Sequence, residues 1–214
     1  DKYKEKLRER KDEILFILGD DFIPKHKYNI VPYLSGKVNK EGFDKLRENS
    51  FVKFIYLRRI LSVGLSESIP LINTDDVWGI RDNNGFNVKG RGQVVCIIDT
   101  GIDYTHPDLG GCRREDFLGG RCTKVIGGND EFNGDSDPMD DDGHGTHVAG
   151  IVAANGNVKG VAPDAQLVAV KVCDSSGDNC PSDDMIAGAD WCLDNRRRLG
   201  ITVLTMSIGD NENH

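Results

Sequence analysis

Apolar positions in the first part of the chain recur at helical and strand spacings in turn. Tyr3, Leu7, Ile14 and Leu18 fall near one face of a 3.6-residue period, with Lys, Arg and Glu between them. That stripe predicts an amphipathic helix over residues 3–18. The stretch HKYNIVPYLSGKV, residues 26–38, predicts a strand or hairpin arm. NKEGFDKLREN, residues 39–49, predicts a second helix with Asn39 as its N-cap. In SFVKFIYLRRIL, residues 50–61, Phe51, Lys53 and Ile55 alternate with Val52, Phe54 and Tyr56, which predicts a strand. Helix, strand, helix, strand suits a small α+β domain over residues 1–65, although the strand that normally opens such a unit is missing.

Residues 66–92 are rich in Gly, Ser, Asn and Asp and predict a linker. The pattern changes at 93. QVVCIIDT and QLVAVKV are short, almost wholly apolar runs, as in parallel strands covered on both faces. ITVLTMS predicts a third strand. HGTHVAGIVAA predicts a buried helix of small residues. PSDDMIAGADWCLDN predicts a helix with Ser182 at the N-cap and Ile186, Ala189 and Leu193 on its inner face. Alternating strands and helices imply βαβ units, so residues 93–214 are expected to be an α/β domain with a parallel sheet. Sites in such sheets gather at the carboxyl ends of strands, where Asp99 and Ser207 fall.

Charge divides along the chain. Residues 1–70 carry 15 basic and 11 acidic residues, and residues 71–214 carry 12 and 24. A basic segment joined to an acidic one fits two parts that dock on each other. The acidic part would repel phosphate, so nucleic acid is not an expected partner. No run of 18 apolar residues exists to span a membrane. No signal-peptide pattern is visible, and DKYKEKLRER already reads as the middle of a helix. None of the six cysteines forms a C-x-x-C pair. Cys112 and Cys122 bracket one polar loop and Cys173 and Cys180 another, which suggests disulfides and an oxidising compartment. Cys96, inside an apolar strand, is expected to be a buried free thiol.

The stretch DDDGHGTHVAG, residues 140–150, admits three readings: a metal-ligand pair, a helix cap or a catalytic base. His144 and His147 are spaced i, i+3, so a zinc hydrolase using both is one rival. The H-E-x-x-H spacing and its activating Glu are absent. Asp99 at a strand tip suggests the third reading. A buried carboxylate can hold one imidazole nitrogen and fix the tautomer, leaving the other free to take a proton from a nucleophile.

VVCIIDTGIDYTHPDL, DDGHGTHVAGIVAA, KGVAPDAQLVAVKV and TMSIGD, in that order, closely resemble motifs of the subtilisin-like serine peptidases, the subtilases. The resemblance implies the N-terminal half of a subtilisin-like domain. It makes Asp99 the orienting carboxylate, His144 the general base, and Ser207, Ile208 and Gly209 an edge strand that pairs with substrate backbone. Asp210 stands where the family has a second Gly. Residues 1–65 resemble the family's propeptide, an intramolecular inhibitor, with processing expected in residues 61–70. In NDEFNGDSDPMDDDG, residues 129–143, Asp130, Asn133, Asp135 and Asp137 match a position where some subtilases bind structural calcium, and Asp, Asn and hard cations are compatible. The short AANGNVKGVAP segment puts a second calcium loop, near Asp108, in doubt. No organic cofactor is implied. The family's nucleophilic Ser lies in a Gly-Thr-Ser-Met-Ala type motif downstream, and the 214 residues hold none. The chain is therefore expected to be a fragment of a secreted proenzyme that cleaves polypeptides, inactive alone and leaving an apolar sheet face uncovered. The rival of another class is a non-catalytic peptide-binding or protease-inhibiting module.

Overall fold

Ile14, Leu18 and Phe22 build the small core of the first part of the molecule, with Leu15, Leu34, Leu46 and Val52 packed against it. The computed structural model describes residues 2–26, 28–58, 60–63 and 74–209, and the chain divides into two units, Asp1–Arg59 and Ile60–His214. In the first unit, helix α1 (Lys2–Leu18) buries Ile14 and Leu18 only; Tyr3 is exposed, so the predicted face is used in its C-terminal half. Strands β1 (Phe22–His26) and β2 (Ser35–Val38) form an antiparallel pair, so the hairpin begins four residues before the predicted arm. Helix α2 (Lys40–Glu48) starts where the sequence places it: Asn39 Oδ1 accepts the Gly42 amide at 2.8 Å, satisfying a helix-end donor.

The strand expected over residues 50–61 is not formed at 51–58. Phe54, Tyr56 and Leu57 are exposed, and the segment pairs with no strand among the described residues. Alternation supplies two faces, but a strand also needs a neighbouring edge for its amides and carbonyls. Only strand β3 (Ile60–Val63) is formed, and its partners lie in the second unit. The boundary therefore falls at Arg59/Ile60, ahead of the expected residue 65.

The second unit continues with a helical turn α3 (Thr74–Val77). Part of the expected linker is docked here, since the Trp78 indole donates to the Val161 carbonyl at 2.9 Å. Then come β4 (Val94–Asp99), α4 (Arg114–Leu118), β5 (Val125–Asp130), α5 (His144–Ala153), β6 (Gln166–Lys171), β7 (Cys180–Pro181), α6 (Ser182–Leu199), β8 (Val203–Met206) and β9 (Ile208–Gly209). Four parallel strands form one sheet in the order β5-β6-β4-β8.

All six residues of β4 are buried. Val95 and Ile97 face one core with Val148, Ala149 and Ala153 of α5, while Val94, Cys96 and Ile98 face the other with Cys192 of α6. β6 divides the same way, Leu167 and Ala169 against Val168 and Val170. Two covered faces are why these strands read as unbroken apolar runs. This is the expected α/β fold with a parallel sheet.

Three details differ from the sequence reading. β5 was not foreseen, because Gly127 and Gly128 interrupt its apolar run; the register against β6 shifts between Val125 and Gly128. α6 begins at Ser182 with Pro181 in the N-cap position and no side-chain cap, and it buries Ala187, Gly188 and Cys192 while Leu193 is exposed. Cys96 is not a free thiol: it is bonded to Cys192, tying β4 to α6. Its β4 neighbours gave no sign of a partner 96 residues away. Cys112–Cys122 and Cys173–Cys180 are bonded as the loop spacing suggests. β8 lies at the sheet's edge with Val203, Leu204 and Met206 partly exposed. Among the described residues, no helix is long and apolar enough to cross a membrane.

Candidate active site

Asp99 is the last residue of β4 and its side chain is fully buried. Its Oδ1 accepts the Thr100 amide at 2.8 Å and lies 2.7 Å from Nδ1 of His144. Burial pushes the Asp99 pKa up, and the hydrogen bonds from His144 and the Thr100 amide oppose that rise. His144 opens α5 with its side chain 14% exposed. With the anionic carboxylate accepting from Nδ1–H, Nε2 carries the lone pair. Nε2 of His144 and Oδ2 of Asp99 are buried with no hydrogen-bond partner among the described residues. An unsatisfied buried polar atom costs about 1–3 kcal/mol. Two on one acid–imidazole pair are a mark of a functional site. Chemically the pair can accept a proton at Nε2 and stabilise the resulting imidazolium.

Helix α5 is aimed by an unusual cap. Its N-cap, Gly143, has φ 113° and no side chain to offer. The first amides are instead satisfied from outside the helix. His144 N–H donates to Asp142 Oδ1 at 3.0 Å, Gly145 N–H to Thr100 Oγ1 at 2.8 Å, and Thr146 N–H to Asp140 Oδ2 at 2.8 Å. Gly145 permits the approach of helix to strand end, because a Cβ there would sit 2.1 Å from the Gly101 carbonyl oxygen. Lys171, opposite Asp99 on β6 and almost fully buried, donates to the Thr100 carbonyl at 2.7 Å and to Asp141 Oδ1 at 2.5 Å.

Sequence reasoning passed over Thr100, Asp140 and Lys171. Lys171 had a visible signal, a lone charge in the apolar run QLVAVKV. Asp140 had a weaker one, an acid just ahead of a helix start whose own cap is glycine. Thr100 had none.

The other expected residues have separate surroundings. His147 is exposed, and no group of three or more metal-capable side chains among the described residues includes either His144 or His147. Nδ1 of His144 is engaged by Asp99, so the two imidazoles are not arranged as a zinc pair. Ser207 joins β8 to β9, and β9 holds Ile208 and Gly209. β3 lies between β7 and β9, antiparallel to both: Ile60 and Leu61 pair with Pro181 and Cys180, and Ser62 and Val63 pair with Gly209 and Ile208. Asp210 and residues 64–70 of the expected processing segment lie outside the described residues.

In the acidic loop, the side chains expected to hold calcium are engaged by one another and by neighbouring groups, whereas a calcium cage takes six to eight oxygens converging on one point. Asp130 is buried, and its two oxygens accept from the Asn133 amide and side chain, both at 2.8 Å. Asp135 Oδ1 accepts the Asp137 amide at 2.8 Å. Asp137 accepts from Tyr104 Oη at 2.7 Å and Arg114 Nε at 2.6 Å. No metal-capable group of three or more among the described residues contains Asp130, Asp135 or Asp137. These side chains close a turn and an ion pair. Asp108 likewise caps the short segment after α5, accepting the Asn157 and Val158 amides at 2.8 and 3.1 Å.

Comparison with known proteins agrees with this geometry. The model of the subtilase family matches residues 90–214, more than half of the chain. Serine protease AprX of Bacillus subtilis (strain 168) is 32% identical over 194 residues, which cover 86% of this chain and 40% of that protein. The minor extracellular protease Vpr of the same organism is 34% identical over 163 residues, 72% of this chain and 18% of that protein. Subtilisin DY of Bacillus licheniformis is 42% identical over 144 residues, 66% of this chain and 43% of that protein. The chain thus spans less than half the length of these relatives. On the family match over residues 90–214, carried by a parallel sheet with an acid at one strand tip and an imidazole on the next buried helix, the chain belongs to the subtilase family.

Proposed function

We propose that the protein is a serine endopeptidase made as a secreted proenzyme, in which Asp99 and His144 are two members of a Ser-His-Asp triad. The observation that carries this reading is the 2.7 Å bond between Asp99 Oδ1 and His144 Nδ1, with Nε2 left buried and unpartnered among the described residues. In the mechanism, Asp99 holds the ring in the tautomer whose Nε2 is basic. Nε2 takes the proton of the serine hydroxyl as its oxygen attacks the scissile carbonyl, and later returns it to the leaving amine. The serine is supplied by the family's motif outside these 214 residues.

The substrate is an extended polypeptide held by backbone hydrogen bonds to β9, through Ser207, Ile208 and Gly209, and to β7 on the other side. Residues 60–63 support that reading, since they already form the middle strand between the two edges. Residues 1–59 are read as the inhibitory propeptide and residues 60–63 as its tail, lying along the substrate path until it is cleaved. Secretion is supported by three disulfides, which persist in oxidising compartments, and by a relative whose name is extracellular. Structural calcium at Asp130, Asn133, Asp135 and Asp137 forms no part of the mechanism. A non-catalytic peptide binder would use the same edges but has no need of a buried, unpartnered imidazole nitrogen.

The test is hydrolysis of a peptide anilide by the natural full-length protein after propeptide removal. Hydrolysis blocked by a sulfonyl fluoride and abolished by His144→Ala is expected. Turnover that survives His144→Ala, or peptide binding without turnover, would overturn the assignment.

A further inference from the structure

Four hydrogen-bonded partners converge on a carboxylate that touches neither Asp99 nor His144. Asp140 Oδ1 accepts from Thr100 Oγ1 at 2.8 Å, from the Gly143 amide at 3.0 Å and from the Asp142 amide at 3.1 Å. Its Oδ2 accepts from the Thr146 amide at 2.8 Å and from Thr146 Oγ1 at 2.5 Å. Thr100 follows Asp99 directly, and Gly143 and Thr146 flank the start of α5, where His144 stands. Thr100 Oγ1 also accepts the Gly145 amide, so strand end, carboxylate and helix start close into one ring of bonds. Thr146 Oγ1 in turn accepts the Asp103 amide, which extends the ring into the turn after β4.

We propose that Asp140 is a positioning residue of the Asp99–His144 pair: its carboxylate locks the end of β4 to the first turn of α5 and so sets the gap across which Asp99 and the imidazole meet. The inference rests on the triad reading above and assigns a third carboxylate a role in that site. Physical reasons favour a carboxylate here. Five donors face it, and an ionised carboxylate offers about four acceptor lone-pair sites across two oxygens without a donor of its own. Burial would disfavour its charge, but the hydrogen bonds from Thr146, Gly143 and Thr100 outweigh that and hold its pKa below the ordinary carboxylate value. An anion near the start of a helix is further favoured by the helix dipole. Gly143 offers no side chain to cap the helix, and Asp140 binds both the strand end and α5's first turn through its two oxygens. A pair held at 2.7 Å is sensitive to small displacements, since misplacement of about 1 Å can cost about a hundredfold in rate.

The experiment is a kinetic double-mutant cycle in the natural full-length protein, with peptide hydrolysis as readout and thermal melting as control. Asp140→Asn turns a donor towards Thr146 and is expected to lower kcat about 10- to 100-fold with KM within about twofold. Thr100→Val, which removes the bridging hydroxyl from the strand side and leaves the carboxylate in place, is expected to lower kcat in the same direction, and Thr100→Ser to restore it. On an Asp99→Ala background, where the bond to the imidazole is gone, Asp140→Asn is expected to cost less than about threefold more, because both act through one pair. The His144 Nδ1–H proton resonance, followed by NMR in the 214-residue chain, is expected to exchange faster with solvent in Asp140→Asn. Full multiplication of the two effects, or lowered melting temperature with unchanged kcat in both Asp140→Asn and Thr100→Val, overturns the proposal. If His144→Ala leaves hydrolysis intact, the triad reading fails and this inference with it. If His144→Ala abolishes hydrolysis while Asp140→Asn and Thr100→Val are silent, this inference alone fails.

Discussion

Asp99→Asn isolates what the charge of the buried acid contributes. Oδ1 receives both the Thr100 amide and His144 Nδ1, whereas Oδ2 has no partner among the described residues. An asparagine can therefore keep its oxygen at the Oδ1 position and place its amide nitrogen where Oδ2 now lies. The ring orientation and tautomer survive, and only the negative charge is lost. That charge acts when the imidazolium forms. Two unit charges about 4 Å apart at an effective dielectric constant of about 20 interact by about 4 kcal/mol. At about 1.4 kcal/mol per decade this is roughly a 1,000-fold loss of kcat. KM is expected to stay within about threefold, since β7 and β9 are untouched. The assay is initial-rate hydrolysis of a chromogenic peptide by the processed full-length protein, with melting curves to confirm folding. A loss below about tenfold would show that the carboxylate does not face a developing positive charge. A loss carried by KM with kcat unchanged would mean that Asp99 belongs to binding rather than to proton transfer.

Other expectations follow from the same structure. Gly145→Ala brings a Cβ within 2.1 Å of the Gly101 carbonyl oxygen, so α5 must shift; a kcat loss of about 100-fold is expected, and an unchanged rate would contradict the close approach. Replacing both cysteines of Cys96–Cys192, separated by 96 residues, should destabilise by about 4–5 kcal/mol, against about 2–3 kcal/mol for Cys173–Cys180, separated by 7; denaturant titration in which the short loop costs more would reverse the argument. Asp108 has its pKa lowered below 3.8, chiefly by the Val158 and Asn157 amides. Its folded-state pKa is depressed, so its stabilisation is present above the unfolded value and is lost as pH falls through the folded value. Asp108→Asn should therefore flatten the fall in melting temperature below about pH 4, and an unaltered acid limb would count against those bonds. Adding calcium after chelation should leave melting insensitive to Asp137→Ala beyond the loss of the Arg114 and Tyr104 contacts; calcium-dependent stabilisation removed by that substitution would restore a metal role to the loop.

What could be read from the sequence is what local order writes into it. The runs VVCIID and QLVAVK show strands buried on both faces, because each residue finds an apolar environment whichever way it points. Asn39 announces α2 because a cap acts within three residues. Asp99 and His144 were legible through motif context, 45 residues apart as they are. Tertiary structure alone decided the rest. The alternation at residues 51–58 promised a strand, but the segment pairs with none among the described residues, and alternation alone does not say which edge a segment will meet. Gly127 and Gly128 hid β5, whose pairing comes from β6 rather than from its own side chains. The side chains that looked like cation ligands are paired in the fold: Asp130 with Asn133, Asp135 with the Asp137 amide, and Asp137 with Tyr104 and Arg114. The bond from Cys96 to Cys192, and the meeting of Asp140 with Thr100, join segments far apart in the chain. Hydrophobic period and capping depend on neighbours within a few residues, so sequence carries them. A polar group's partner depends on which distant segments the sheet brings together, so only the folded chain decides it.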